Sequence, residues 1–152
     1  MSAALQSAPD PLSRWVTFQL GPETYGINVL QVQEVLRMPE IAPVPGAPYH
    51  VLGIINLRGT VVTVVDAHRL LGLAETGKDE AARIIITDAN GATIGVLVDS
   101  VAEVVNLHAS QIESPPSVGI EASSHYVHGV HHRDEKLLIL VDLNRLLGGE
   151  NG

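Results

Sequence analysis

The sequence predicts an all-β protein made of two similar small barrels, and three observations carry that prediction. Short Val- and Ile-rich runs recur along the chain, about ten of them, each closed by Gly, Pro, Asn or Asp. One hairpin unit occurs twice in the same residue order. The segment ahead of that unit is duplicated as well.

The repeated unit is the stretch around which the rest is organised. Gly53 to Gly72 holds two apolar runs split by Asn56, Arg58 and Gly59, then Asp66, Arg69 and a Leu-Leu-Gly ending. Runs of this length and composition read as strands, and the polar break reads as a tight turn in which Gly59 supplies a positive φ. Asp66 ends the second strand and caps a short helix from Ala67 to Leu71, which Gly72 stops. Gly129 to Gly148 repeats the pattern without a gap, with Asp142 for Asp66 and Arg145 for Arg69. Upstream, Tyr25, Gly26, Ile27, Val32, Glu34 and Val35 return as Ile94, Gly95, Val96, Val101, Glu103 and Val104. An internal repeat fixes architecture. It divides the chain into a module over residues 14–80 and a second over 81–148, with tails at 1–13 and 149–152.

The other elements follow in order. Met1 to Ser13, rich in Ala, Ser and Pro, reads as a flexible tail. Trp15 to Leu20 alternates as a strand, Gly21 to Thr24 is a turn, and Tyr25 to Val29 is the next strand. Leu30 to Met38 fits either a helical turn or a strand. Pro39, Pro43, Pro45 and Pro48 exclude long regular structure in the connector. Arg83 to Asp88 and Ala92 to Val98 form a hairpin about Asn90-Gly91, a strong turn signal. Val101 to Leu107 is a further strand, and the Pro- and Ser-bearing stretch from His108 to Ser124 lengthens the second module. Modules of this size are marginal alone, so the two are expected to share an interface and fold as one body.

The net charge of −8, with Lys78 and Lys136 as the only lysines, argues against nucleic acid and against an anionic membrane surface as partners. The lack of cysteine excludes disulfides, thiol catalysis and Cys-based zinc sites. No signal peptide and no apolar run of about 20 residues is visible, which predicts a soluble, cytosolic protein.

Several patterns suggest chemistry, and each has a plainer explanation. Gly72 to Lys78 has the spacing of a phosphate-binding loop, but Asp79 stands where Ser or Thr would hold magnesium, and Glu75, Asp79 and Glu80 repel phosphate. His125, His128, His131 and His132 lie near Asp134. Strand alternation lets at most two or three converge on a metal, and the alternative is solvated histidines near a hairpin tip. Asp66 and His68 lack a nucleophile elbow or a cysteine, and Asp66 has the simpler role of helix cap. No cofactor is expected. The copies differ at Arg58, which aligns with Asp134, so Arg58 belongs to the first module alone. It is either an exposed turn residue or one half of an ion pair with Glu34.

At these residues the chain resembles the CheW-like coupling proteins of bacterial chemotaxis. The motifs are Tyr25-Gly26-Ile27 with Val32 to Val35, then Val51 to Gly59 leading to Val65-Asp66. Gly95 to Val101, Ile112 to Pro116 and Leu140 to Leu143 complete them. The resemblance runs from about Trp15 to Leu147. It implies two intertwined, five-stranded, SH3-like barrels with a few short helices and no enzymatic activity. It implies as partners a chemoreceptor's cytoplasmic tip, the regulatory domain of a CheA-type histidine kinase, and other CheW-like domains in an array. It further implies a structural Glu34–Arg58 ion pair near the partner surfaces and a receptor-facing groove between the barrels. Thr63 departs from the family, which usually has Pro there. The candidate interface residues are Val32, Glu34, Val35, Asn56, Arg58 and Gly59, with Val98 and Val101 for the groove. The alternatives are a CheW-like module of another pathway, such as twitching motility, and a metal-dependent hydrolase using the histidines.

Overall fold

In the computed structural model, which describes residues 9–74, 79–114 and 126–148, ten strands form two five-stranded sheets. The strands are β1 (Leu12–Leu20), β2 (Glu23–Asn28), β3 (Val32–Arg37), β4 (Val51–Leu57), β5 (Thr60–Asp66), β6 (Arg83–Ala89), β7 (Ala92–Val98), β8 (Ser100–His108), β9 (Val127–Arg133) and β10 (Lys136–Val141). Two short helices follow the repeated hairpins: α1 (Ala67–Leu71) after β5, and α2 (Leu143–Gly148) near the end of the chain. The undecided stretch after β2 resolves into a 3-10 turn, Val29–Gln31, and then strand β3. No helix among the described residues is long and apolar enough to cross a membrane.

The first sheet has the order β8-β1-β2-β10-β9 and the second β3-β6-β7-β5-β4. Substituting each strand by its repeat partner turns one order into the other. Neither sheet is one sequence module. The first takes β1 and β2 from the first repeat and β8 to β10 from the second, and the second sheet makes the reciprocal choice. The modules are therefore intertwined, joined through parallel pairs β2–β10 and β5–β7 inside otherwise antiparallel sheets. The pairing leaves β8 and β9 as the edges of one sheet and β3 and β4 as the edges of the other, so neither closes into a barrel through backbone pairing.

The duplication extends to register. In β4–β5 a bulge falls between Val51 and Gly53, and in β9–β10 it falls at the equivalent place, between Leu140 and Val141. The preceding segment crosses each hairpin at the glycine of that bulge. Ala42 bonds both ways with Ile54, and Glu113 bonds both ways with Val130. A Cβ on Gly53 would sit 2.2 Å from the Ala42 carbonyl oxygen, and one on Gly129 would sit 2.5 Å from the Ile112 side chain. Close approach of two backbones thus explains the repeated glycine.

One apolar core lies between the sheets and is built from repeat pairs: Val16 with Ile85, Leu20 with Ala89, Ile27 with Val96, Val65 with Val141, and Ala67 with Leu143. Burial of each large member contributes about 1.5–3 kcal/mol. Each sheet has a smaller core of its own, around Ile84, Ile86, Val62 and Val64 in the second and around Trp15, Leu138 and Leu140 in the first. The last residues of the stretch that the sequence reads as a flexible tail are held against β8 and the turn after it. Leu12 and Ser13 already pair with β8, the Pro11 carbonyl accepts from Ala109 N at 2.9 Å, and the Asp10 carboxylate accepts from Ser110 N and Oγ.

Candidate functional site

Edge strand β3 and the β4–β5 turn carry most of the interface residues read from the sequence. Arg58 and Gly59 both have positive φ, 52° and 89°, the geometry of a two-residue hairpin turn. The Asn56 side-chain oxygen accepts from Gly59 N at 2.7 Å and fixes that turn. Arg58 is thereby aimed across the sheet at β3. Its Nη1 donates to Glu34 Oε1 at 3.3 Å, and its Nη2 donates to the other carboxylate oxygen. This bidentate pair joins the two edges of the second sheet and draws them together. It is solvent-facing, with the Arg58 side chain 68% exposed. The hydrogen bond from Arg58 holds the Glu34 carboxyl below its ordinary range, and the same bond raises Arg58. Arg58 is thus both the exposed turn residue and the ion-pair partner.

The elements that the pair joins also carry exposed apolar side chains. Val35, Met38 and Val61 are exposed, and Pro39 to Pro43 with Ile54, Ile55, Asn56 and Val61 line a groove of about 600 Å³. Val32 is half-buried against the shared core. The two groove candidates sit differently. Val101 packs at the margin of the shared core, whereas Val98 is fully buried within it and reaches no surface. The reason is parity: in β7, Val96 and Val98 point between the sheets, so Val98 organises the interface core and is removed from the contact residues.

The first sheet repeats the clasp by a different residue. Arg133 Nη1 lies 3.6 Å from Glu103 Oε2, and Glu103 is the repeat partner of Glu34. The Arg58 position is Asp134 in the second copy, but the preceding strand residue supplies the guanidinium. An edge clasp therefore belongs to both sheets, contrary to the reading that Arg58 has no counterpart. Alignment by turn position hid this, because the cation moved from the turn to the last residue of β9. Sequence reasoning also missed Leu30, which stands 87% exposed on the 3-10 turn between the sheets.

The remaining patterns have structural roles. Asp66 Oδ1 accepts from His68 N at 2.8 Å and Arg69 N at 3.4 Å as helix cap. The buried His68 ring lies 2.9 Å from the Ala74 carbonyl oxygen through Nδ1 and 2.9 Å from Asp99 Oδ1 through Nε2. Asp99 Oδ2 accepts from Gly21 N at 2.7 Å, so this chain of contacts ties α1 to the β1–β2 turn of the other sheet. Asn144, the repeat partner of His68, does the same in α2: its side-chain oxygen accepts from Asn90 N and its backbone carbonyl accepts from Asn90 Nδ2. Of the histidines, His128 lies against Trp15, His131 contacts the Gln111 carbonyl and His132 lies 3.4 Å from Glu113. Among the described residues no group of three or more His, Asp or Glu is placed to hold a metal ion. His125 and most of the phosphate-loop pattern, from residue 75 to 78, lie outside the described residues.

Comparison with known proteins agrees with this geometry. A family model described as "CheW-like domain" matches residues 14–151. The chain is 31% identical over 139 residues to a chemotaxis protein CheW of Treponema pallidum, covering 89% of this chain and 82% of that one. It is 32% identical over 136 residues to a chemotaxis protein CheW of Klebsiella aerogenes, covering 90% and 82%. Among solved structures, the scaffolding protein TtCheW from Thermoanaerobacter tengcongensis superposes with a TM-score of 0.82 at 34% identity, covering 91% of this chain and 94% of that one.

Proposed function

This chain belongs to the CheW-like domain family, and we propose that it couples the cytoplasmic tip of a chemoreceptor to the regulatory domain of a CheA-type histidine kinase. It is a chemotaxis adaptor and not an enzyme. The observation that carries the finer reading is the Glu34–Arg58 clasp together with the exposed apolar side chains on the elements that it joins. Val35, Met38 and Val61 there offer apolar area to a partner, and the ion pair fixes the two sheet edges between which it lies.

We assign that surface to the kinase. We assign the receptor to the boundary between the sheets where Val101 packs at the margin of the shared core, and the protein meets the membrane only through that partner. Two separate surfaces allow both partners to bind together, and modest contacts gain strength when repeated in an array with other CheW-like domains. Signal then passes as a population shift of the kinase, which requires different affinity for its two states. The test is reconstitution of this protein with the host's chemotaxis-type kinase and receptor signalling fragments, following autophosphorylation. A receptor-dependent rise that needs this protein supports coupling. No rise, together with no binding to either partner, removes the assignment.

A further inference from the structure

We propose that the slot between β8 and β9 docks an extended acidic segment of a protein partner, which enters as an additional strand of the first sheet. The slot has a volume of about 380 Å³. Val104, Val105, Asn106 and Leu107 line it from β8, with His131 and Arg133 opposite on β9. Both strands are edges of the first sheet. The Glu113–Val130 bridge covers one part of β9 and leaves the His131–Arg133 end without a pairing strand among the described residues. Two such edges facing each other offer main-chain donors and acceptors that only another extended backbone uses in full.

Charge selects the kind of segment. No carboxylate lines the slot, although the chain carries a net charge of −8. Arg14 adds a further cation on the β8 side, where its Nε donates to Asn106 Oδ1 at 3.3 Å. The duplicated sheet shows that these residues are not demanded by the fold. Its counterparts of His131 and Arg133 are Ile55 and Leu57, and both pack into the apolar core of the second sheet. Replacing packed aliphatics by an imidazole and a guanidinium sacrifices core packing, a local departure expected of a binding site; His131 Nδ1 is engaged by the Gln111 carbonyl oxygen, and Arg133 is the half-exposed cation at the edge. Arg133 is held at 3.6 Å by Glu103, and both side chains are about half exposed or more. A carboxylate from a partner therefore competes for Arg133 at little expense. Val104, exposed beside it, offers the aliphatic contact, while Val105 and Leu107 are held in the sheet's own core.

The proposal concerns the first sheet and stands apart from the Glu34–Arg58 surface, so its failure leaves the coupling assignment intact. The test is a chemical-shift titration of the isotope-labelled full chain with the capped peptide acetyl-Glu-Val-Glu-Val-Glu-amide, against the same peptide with Lys in place of Glu. The expected result is saturable shifts of β8 and β9 amides with the acidic peptide alone, lost in Arg133→Glu and weakened in the milder Arg133→Ala. The Arg133→Ala arm decides the matter if the charge reversal unfolds the chain. No shifts at millimolar peptide, equal response to the lysine peptide, shifts confined to other elements, or undiminished binding by the Arg133 variants would each overturn it.

Discussion

Gly53 and Gly59 lie six residues apart in one hairpin and respond to substitution for different reasons. A Cβ on Gly59 meets nothing within 4 Å, so Gly59→Ala meets only the strain of its positive φ, about 1 kcal/mol. A Cβ on Gly53 meets the Ala42 carbonyl oxygen at 2.2 Å, and the crossing backbone has to move. Gly53→Ala is therefore expected to cost at least about 3 kcal/mol, a fall in melting temperature on the order of 10 °C. Thermal unfolding followed by circular dichroism separates the two, and equal shifts would refute the explanation by close approach. The ion pair makes a second prediction. Arg58→Ala removes an exposed contact, so coupling in the reconstituted assay should fall well before stability does. The lowered carboxyl of Glu34 contributes stability above the carboxyl's unfolded pKa, and that contribution is lost as pH falls through the folded value. In Arg58→Ala the Glu34 titration followed by NMR should move up toward the ordinary carboxylate range. An unmoved midpoint would mean that the bidentate contact does not persist in solution.

At the scale of elements, the duplicated sheets differ in how they are filled. The second sheet closes its interior with Ile86, Ile55, Leu36 and Leu57, where the first has Thr17, His131, Val105 and Arg133. Less apolar side chain holds β9 in place than β4, and exchange protection follows such local stability. Hydrogen exchange should therefore be faster at the β9 amides than at their counterparts in β4. The reverse order would show that the edge clasps, rather than the interiors, set local stability. The hairpins, the Asn90-Gly91 turn, the Asp66 cap and the α1 boundary were legible in the sequence, because turn chemistry and capping act within a few residues. Burial of Val98 was not legible, since a wholly apolar run such as that of β7 hides which parity faces the core. The Arg133 clasp was hidden for a related reason: it depends on which strands become edges, and that is a property of the whole sheet.

At the scale of the molecule, the repeat announced two similar units, while residue pattern alone left open which strands each sheet would take. Equivalent strands carry the same apolar pattern, so β1 and β2 fit the strands of their own repeat as well as those of the other. The choice rests on the parallel pairs β2–β10 and β5–β7 and on the core that both sheets share. This exchange has a consequence for folding. A fragment ending near residue 80 contains β1 and β2 without β8 to β10, and β3 to β5 without β6 and β7, so it completes neither sheet. Each fragment alone leaves the shared core open to water, and fewer than 80 residues rarely offset that exposure. Fragments 9–80 and 81–148 should thus be unfolded separately and should regain the β spectrum on mixing, with a midpoint that depends on concentration. The intact chain, for the same reason, should unfold in one transition with equal calorimetric and van't Hoff enthalpies. A stably folded 9–80 fragment, or two separate transitions in the whole protein, would mean that the sheets are independent and that the exchange of strands does not bind them into one cooperative body.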